Sequence, residues 1–250
     1  MTQRISIVTG AAKGIGKACA LALAAEGDRV FALDVDADAL AELPGSIDGI
    51  EADVGDLPTI ERVMDDIAAT AGRIDVLVNN AGVTRRADMM DLTEADWDRI
   101  MRVNAKGVFF CLQHAARHMI AQQSGRIINM ASIAGRGYHA SSNAIYAGSK
   151  GAVITMTRMA AHRLGPEGIS VNAVCPGVTD TEIFRGIVAN DAKAEGVPES
   201  QVLERVLSTI PARRGNTVEE IAALVVYLAS PAAQNLTGQA INLDGGLRMD

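Results

Sequence analysis

Tyr146 and Lys150 are the pair of side chains best suited to proton transfer, in the run Tyr-Ala-Gly-Ser-Lys. On a helix, residues four positions apart share one face, so the phenol and the ammonium would be neighbours. An ammonium beside a phenol stabilises the phenolate and lowers its pKa from a reference of about 10. A general acid/base works best when its pKa is near the working pH. The pair predicts acid/base chemistry on a hydroxyl or carbonyl oxygen, although this spacing alone also occurs by chance in many helices.

Polar and small residues follow several apolar runs that have the composition of strands. Ser132 comes just after the run Gly-Arg-Ile-Ile-Asn-Met, 14 residues before Tyr146. Asn80 lies at the end of another run, and Pro176-Gly177 closes a third. Ligands of open α/β sheets bind at the carboxyl ends of strands, so these residues are predicted to face one site. Asn104 interrupts a helical run, which predicts a kink there.

A glycine-rich loop joins the first predicted strand to the first helix. Its sequence is Thr9-Gly10-Ala11-Ala12-Lys13-Gly14-Ile15-Gly16, with the spacing G-x-x-x-G-x-G. Glycine permits positive φ and a close approach of the backbone, and the N-terminus of the helix offers free N–H groups to an anion. The position at a first βα junction predicts that this loop binds the pyrophosphate of a dinucleotide.

Asp34 ends the second predicted strand, 20 residues after Gly14. A carboxylate there accepts hydrogen bonds from the adenosine ribose and repels a 2′-phosphate, which predicts NAD rather than NADP. Lys13 argues the other way, because its ammonium can meet a 2′-phosphate, but a flexible lysine can also turn toward water. Asp53 ends the third strand, where it either binds the adenine amino group or caps the following segment.

The elements that position these residues alternate between short β-branched runs and longer helical patterns, which predicts one α/β domain over residues 1–250 with a mostly parallel sheet covered by helices on both faces. The predicted strands are Ile5–Thr9, Arg29–Leu33, Gly49–Ala52, Val76–Asn79, Arg126–Met130, Ser170–Val174 and Ala240–Leu243. The predicted helices are Ile15–Glu26, Leu57–Ala71, Glu94–Val103, Ala105–Gln122, Ile145–Leu164 and Val218–Leu228. The segment Thr179–Gly215 has only weak helical patterning, and we interpret it as an irregular insertion that serves as a lid or a substrate-binding loop.

The composition excludes several other classes of protein. The net charge of −7 disfavours nucleic acid as a partner, because phosphate binding needs clustered Lys and Arg. No apolar run is long enough for a membrane span, and no secretory signal is visible, so we expect a cytoplasmic protein. The three cysteines are scattered through apolar runs and are interpreted as buried thiols. We expect no metal, since no cluster of metal ligands is present.

Together these motifs resemble the short-chain dehydrogenase/reductase family over essentially the whole chain. The resemblance rests on the glycine loop, Asp34, Asp53, Asn79-Asn80-Ala81-Gly82, Asn104, Ser132, Tyr146-x-x-x-Lys150, Pro176-Gly177 and Leu243-Asp244-Gly245-Gly246, in this order. It implies a single Rossmann-like domain with a seven-stranded sheet. It also implies an NAD-dependent oxidoreductase that moves a hydride between a cofactor and a secondary alcohol or its ketone.

The resemblance also implies a role for each matched position. Tyr146 is expected to be the acid/base, Ser132 to hold the substrate oxygen, and Lys150 to bind the nicotinamide ribose and lower the pKa of the tyrosine. Asn104 is expected to anchor a water in a proton relay. The expected cofactor-binding residues are Gly10, Lys13, Gly14, Ile15, Gly16, Asp34, Asp53, Val54, Asn80, Ala81, Gly82, Tyr146, Lys150, Pro176, Gly177, Val178, Thr179 and Thr181. A homotetramer, or a homodimer, that pairs the helices Ala105–Gln122 and Ile145–Leu164 is also expected.

The segment after Ser132 is polar and is expected to contact the substrate, with Ser132 and Tyr146 joined there by Arg136 and His139. Polar surroundings favour a polyol, a sugar or a small hydroxy acid. Arg85, Arg86 and Arg185 can attract an anion, although such arginines are more often solvated. One alternative is a 3-oxoacyl-thioester reductase, which shares the motifs but usually prefers NADPH. A second alternative is an NAD(H)-binding scaffold without turnover, which would have no use for Tyr146.

Overall fold

The computed structural model describes residues 3–138 and 142–249. Seven strands form one sheet in the order β3-β2-β1-β4-β5-β6-β7, and every pairing is parallel. The strands are β1 Ile5–Thr9, β2 Arg29–Asp34, β3 Ile47–Glu51, β4 Val76–Asn79, β5 Gly125–Met130, β6 Ile169–Pro176 and β7 Ala240–Leu243. The predicted α/β class and the predicted seven-stranded parallel sheet are confirmed.

Helices connect the strands and cover both faces of the sheet. They are α1 Gly14–Ala25, α2 Ala37–Ala41, α3 Leu57–Ala71, α4 Glu94–Met101, α5 Val108–Gln122, α6 Ala144–Leu164, α7 Glu182–Glu195, α8 Glu199–Ser208 and α9 Val218–Ala229. One apolar cluster joins α3, α5 and α6 to one face of the sheet, and a second joins α1, α2 and α9 to the other. Because both faces are covered, β1, β4 and β6 are buried at every position, as apolar strands of a parallel sheet should be.

The strand order reverses between β1 and β4, which are neighbours in the sheet although β2 and β3 come between them in the chain. The connections on either side of such a point leave in opposite directions, and a crevice opens at the carboxyl ends of the two strands. The glycine loop follows β1, and Asn80-Ala81-Gly82 follow β4, so both sequence motifs lie at this crevice.

The structure differs from the sequence-based expectation in three segments, one of which is the short helix α2, which was not predicted. The predicted kink at Asn104 is a π-helical segment, Arg102–Gly107, which continues directly into α5. The expected irregular insertion 179–215 was wrong in its secondary structure, because it contains the two helices α7 and α8. Their buried residues, among them Val188, Ala192 and Val202, form a small apolar cluster of their own. The helical apolar pattern in the sequence is weak because it consists of only these few positions.

Candidate active site

Tyr146 lies in the first turn of α6, where it meets the end of β5. Its hydroxyl is hydrogen-bonded to the hydroxyl of Ser132, which follows β5 and caps a short 3-10 turn by accepting from the N–H of Ala134 at 3.1 Å. Burial raises the pKa of Tyr146 above its ordinary value, and the hydrogen bond from Ser132 opposes that shift. The structure therefore brings together two hydroxyls that can hold one substrate oxygen between them.

Lys150 lies one turn further along α6, with its Nζ 5.8 Å from the centre of the Tyr146 ring. The side chain is almost fully buried, and burial lowers the pKa of Lys150 to about 8. Its ammonium donates to the carbonyl of Met130 at 2.7 Å. The pKa of Tyr146 in this structure is shifted by burial and by the hydrogen bond with Ser132. The expected lowering of that pKa by Lys150 stays a prediction.

Asn104 connects the π-helical segment to the loop after β4. It forms a paired hydrogen bond with the backbone of Val83, accepting at 2.8 Å and donating at 2.9 Å, and it also donates to the Ser149 hydroxyl at 3.1 Å. A Cβ added at Gly82 would lie 3.4 Å from Nζ of Lys150 and 3.5 Å from Oδ1 of Asn104. Asn104, Gly82 and Lys150 therefore line one small space, as expected of residues that share a site.

The glycine loop approaches the loop after β4 backbone to backbone. Gly10 has a φ of +63°, and a Cβ there would lie 2.7 Å from Cα of Ala81. A Cβ on Gly16 would overlap the carbonyl oxygen of Gly10. Asn80 closes the contact by donating from Nδ2 to the carbonyls of Thr9 and Gly10, at 3.1 and 2.9 Å. This packing explains why glycine is required at two of the three positions.

The third glycine leaves open space in front of α1. Gly14 has a φ of +55°, and a Cβ there would meet only Cγ2 of Thr181, at 4.0 Å. No side chain caps the N-terminus of α1, and its first turn contains no acidic residue. Uncapped N–H groups and the positive end of the helix dipole suit an anionic ligand. These features fit the pyrophosphate of a dinucleotide.

Asp34 is held at the end of β2 by two backbone donors, the N–H groups of Ala12 at 3.0 Å and Asp36 at 3.2 Å. Asp53 was expected to end the third strand but lies two residues beyond β3, which ends at Glu51, and it accepts from the N–H of Gly55 and from Arg102, both at 2.8 Å. The structure thus shows the capping role of Asp53, which was one of the two alternatives. Neighbouring Val54 is buried against the π-helical segment.

The segment after β6 passes close to the glycine loop. Pro176 ends the strand, and a Cβ on Gly177 would lie 2.6 Å from Cβ of Asp244. Val178 and Thr179 pair with Asn216, and Thr181 caps α7 by accepting from the N–H of Phe184 at 3.3 Å. The expected cofactor-binding segments, including half-buried Ile15 at the start of α1, therefore converge at the carboxyl edge of the sheet.

This geometry agrees with comparisons to known proteins. A family model described as enoyl-(acyl carrier protein) reductase matches residues 10–248. The 3-oxoacyl-(acyl-carrier-protein) reductase of Thermotoga maritima is 40% identical over 98% of this chain and 97% of its own. The sorbitol dehydrogenase of Cereibacter sphaeroides is 37% identical over 97% and 96%. The chain belongs to the short-chain dehydrogenase/reductase family.

A solved structure gives the same result for the three-dimensional fold of this short-chain dehydrogenase/reductase. The crystal structure of an NAD⁺-bound xylitol dehydrogenase superposes with a TM-score of 0.89 at 32% identity, over 97% of this chain and 98% of the other. The predicted single Rossmann-like domain and the predicted family membership are confirmed, and the chain is an oxidoreductase of that family.

Two of the four residues expected to contact the substrate need separate comment. Arg136 follows Ser132 by one turn, but its guanidinium donates to the carbonyl of Ala240 in β7 and lies beside the thiol of Cys175. The guanidinium of Arg136 is therefore bonded to residues of β6 and β7, and its expected contact with substrate stays a prediction. His139 lies outside the described residues.

The arginines that could attract an anion are paired with carboxylates. Arg85 pairs with Asp96, Arg86 with Asp191 at 2.6 Å, and Arg185 with Asp180 at 2.7 Å. The Arg86 pair joins the loop after β4 to α7. In the described part of the chain there is no cluster of three or more side chains that could hold a metal ion.

Three residues position the site of this family member although the sequence analysis gave them no such role. Asn143 caps α6 by accepting from the N–H of Tyr146 at 2.8 Å, and it donates to the carbonyl of Arg85 at 2.6 Å. Ser149 donates to the carbonyl of Tyr146 at 2.7 Å. Thr9 accepts from the N–H groups of Asn80 and Ala81 at 3.0 and 3.1 Å. Asn143 had a local signal, since asparagine one residue before a helix is a common N-cap.

The remaining expectations concern bulk properties. Cys19, Cys111 and Cys175 are free and buried, as predicted. Burial raises the pKa of Cys19 and of Cys111 to about 12, so these thiols have little nucleophilic character. None of the helices in the ranges 3–138 and 142–249 has the length and hydropathy that a membrane crossing requires.

Proposed function

We propose that this short-chain dehydrogenase/reductase transfers a hydride between NAD(H) and a secondary alcohol or its ketone, with Tyr146 as the acid/base. The observation that carries the proposal is the hydrogen-bonded pair of hydroxyls on Tyr146 and Ser132, beside the buried ammonium of Lys150. The pair lies at the carboxyl edge of the sheet, the edge at which the glycine loop also lies.

When bound, a nicotinamide would supply or take up the hydride, and residues of the protein would handle the charge and the proton. A ketone that receives a hydride develops negative charge on its oxygen, which the Ser132 and Tyr146 hydroxyls stabilise. Tyr146 then donates its proton to that oxygen, and in the alcohol direction it removes one. The Lys150 ammonium, one turn away on α6, favours the charged form of the phenol electrostatically, and Asn104 supports the adjoining loop.

Residues of this chain fit NAD in two places. The uncapped N-terminus of α1 and the open space at Gly14 suit the pyrophosphate. Asp34, fixed by two backbone donors, retains lone pairs that can accept from the ribose hydroxyls. The NAD⁺-bound xylitol dehydrogenase supports this assignment, as does the carboxylate at the end of β2.

For the substrate we propose a polyol, a sugar or another small polar hydroxy compound, as the similarity to sorbitol and xylitol dehydrogenases supports. The hydroxyls of Thr84 and Ser142 lie 3.1 Å apart near the start of α6 and can contribute polar contacts. The alternative is a 3-oxoacyl-thioester reductase, which the similarity to the Thermotoga maritima enzyme supports. Of the basic residues considered, Arg85, Arg86 and Arg185 each have a carboxylate partner, which weighs against an anionic substrate.

We assign substrate enclosure to the insertion 179–215, since α7 begins beside the glycine loop and is tied by Asp191 to Arg86. A homotetramer or homodimer through α5 and α6 is supported by large apolar side chains that these helices and α4 leave exposed, namely Trp97, Phe109 and Met159. A cytoplasmic location stays a prediction.

The test combines one substitution with one screen. Tyr146→Phe should lower kcat/KM by about 10²- to 10⁴-fold, because it removes the proton donor and leaves the ring in place. Calorimetric affinity for NAD⁺ should stay within a few-fold of wild type. Tyr227→Phe, which alters an exposed tyrosine on α9, is the matched control and should have no effect.

The screen offers NAD⁺ with polyols, sugars and hydroxy acids, and NADH or NADPH with 3-oxoacyl thioesters. Turnover of polyols with NAD⁺ supports the main proposal, whereas preference for the thioesters supports the alternative. Undiminished turnover by Tyr146→Phe would show that the acid/base is misassigned.

A further inference from the structure

The glycine loop contains a single cation, Lys13, and the structure gives it a carboxylate partner. Nζ of Lys13 lies 2.7 Å from Oδ2 of Asp36, two residues beyond Asp34. The pair is exposed, with 62% of the lysine side chain and 38% of the aspartate side chain accessible to solvent. Lys13 is therefore directed to Asp36 while its side chain stays in contact with solvent.

The place of this ion pair matters because it adjoins the carboxylate that is proposed to bind the adenosine ribose. The N–H of Asp36 donates to Oδ1 of Asp34 at 3.2 Å, so the two acidic residues form one turn at the end of β2. A 2′-phosphate on that ribose would lie in this turn, where a lysine ammonium is the natural partner for a phosphate. The Lys13 ammonium, which could pair with the 2′-phosphate of NADP, is already paired with Asp36.

Asp36 is fixed independently of Lys13. Its Oδ1 accepts from the N–H of Ala39 at 3.0 Å and so caps α2, while its Oδ2 is the atom that faces Lys13. Each carboxylate oxygen of Asp36 thus has one partner, and the hydrogen bond to Ala39 fixes the orientation of the side chain that pairs with Lys13. Glu182 at the start of α7 and Asp34 add negative charge nearby, and Asp36, followed by these two, raises the pKa of Lys13.

We propose that Asp36 is a cofactor-selecting residue, because it holds the Lys13 ammonium away from the 2′-phosphate of NADP. This inference rests on the proposed binding of NAD and deepens it. Two residues then select against NADP. Asp34 repels the 2′-phosphate directly, and Asp36 pairs with the Lys13 ammonium, which would otherwise offset that repulsion.

The experiment measures dinucleotide affinity by isothermal titration calorimetry, so it needs no knowledge of the substrate. Asp36→Asn is the test variant, since asparagine is as good an N-cap as aspartate and α2 should keep its start. It should bind NADP⁺ about three- to fivefold more tightly than wild type and NAD⁺ with nearly unchanged affinity. The same ratio should appear between 2′,5′-ADP and ADP, which carry only the adenosine end.

Three further variants separate the role of Lys13 from a general effect of charge. Asp38→Asn removes an exposed carboxylate from the same helix and should leave the NADP⁺ affinity at the wild-type value. Asp36→Glu retains a carboxylate and should retain the discrimination. Combining Lys13→Ala with Asp36→Asn should abolish the gain, because the freed ammonium is its source.

Equal NADP⁺ affinities for Asp36→Asn and Asp38→Asn would overturn the inference, and so would a gain that survives the loss of Lys13. Failure of the proposed function looks different. In that case the wild-type protein would bind neither NAD⁺ nor NADP⁺, whereas wild-type binding of NAD⁺ with an ineffective Asp36→Asn would refute only the role of Asp36.

Discussion

Asn143 offers the sharpest test of how the acid/base is positioned. Its side chain accepts from the N–H of Tyr146 at 2.8 Å, donates to the carbonyl of Arg85 at 2.6 Å, and donates to the Thr84 hydroxyl at 3.3 Å. One buried side chain therefore both starts α6 and joins it to the loop after β4. Replacing it should disturb stability and catalysis together.

The magnitude follows from these contacts. Loss of an N-cap costs about 1 kcal/mol in the free energy of unfolding. Loss of the hydrogen bond to the Arg85 carbonyl adds about 1 kcal/mol, so Asn143→Ala should destabilise the protein by about 2 kcal/mol. Asn143→Asp keeps the acceptor for the N–H of Tyr146 but loses both donated hydrogen bonds. Its free energy of unfolding should therefore lie between that of wild type and that of Asn143→Ala. Because Tyr146 would lose its fixed position, kcat/KM of Asn143→Ala should fall about tenfold or more.

The assay pairs urea unfolding with steady-state kinetics at a temperature where every variant is folded. Thr217→Ala is the control, since Thr217 caps α9 in the same way by accepting from the N–H of Glu220 at 3.2 Å. It should lose about 1 kcal/mol of stability and keep its kcat/KM. If Asn143→Ala loses stability but keeps the kcat/KM of the Thr217 control, the positioning argument is refuted.

Two further predictions follow from packing and from burial. Gly16→Ala should weaken NAD⁺ binding more than tenfold by calorimetry, because its Cβ would overlap the Gly10 carbonyl and lie 2.5 Å from Nδ2 of Asn80. Gly186→Ala, in open space on α7, should not, and wild-type affinity in Gly16→Ala would contradict the packing. Since the pKa of Lys150 is lowered from 10.5 to about 8, the folded protein has released a proton that the unfolded chain still holds between these pH values. The free energy of unfolding should therefore gain about 3 kcal/mol from Lys150 as pH rises through this window, and urea unfolding of Lys150→Met should lack that gain. Equal pH slopes for the two proteins would contradict the lowered pKa.

The strands could be predicted from the sequence because burial on both faces leaves a strong signal. Ile5–Thr9 and Val76–Asn79 were predicted with the bounds that the structure has. The end of β6 extends further than predicted, to Pro176, since pairing with β7 continues past the apolar run. Strand pairing is a property of the assembled sheet, and local composition does not encode where it stops.

The helices of the insertion 179–215 could not be predicted, because their burial leaves only a weak signal in the sequence. In α7 and α8 few positions are buried, because these helices pack mainly on each other, and their apolar pattern is correspondingly thin. Their caps were visible in the sequence as Thr181 and Pro198, but a cap without a strong apolar face did not suffice to predict a helix. The five-residue helix α2 was missed for the same reason, although Asp36 marks its start.

Within the site, residue types could be predicted and side-chain partners could not. A tyrosine four residues before a lysine indicates which groups do the chemistry, but the direction of a side chain depends on loops that meet only in the fold. Lys13 turns to Asp36, which is 23 residues away in the chain, and Lys150 turns to the carbonyl of Met130. Arg136 turns to the carbonyl of Ala240 in β7, which is 104 residues away in the chain.

These partners change what the sequence motifs mean. Lys13 read alone favours NADP and Asp34 read alone favours NAD, so the sequence leaves a conflict between two residues. In the structure Asp36 resolves that conflict, because it neutralises the lysine while its N–H supports Asp34. Cofactor preference in this chain is thus a property of three side chains and one turn, and a substitution at Asp36 should change it even where Asp34 is intact.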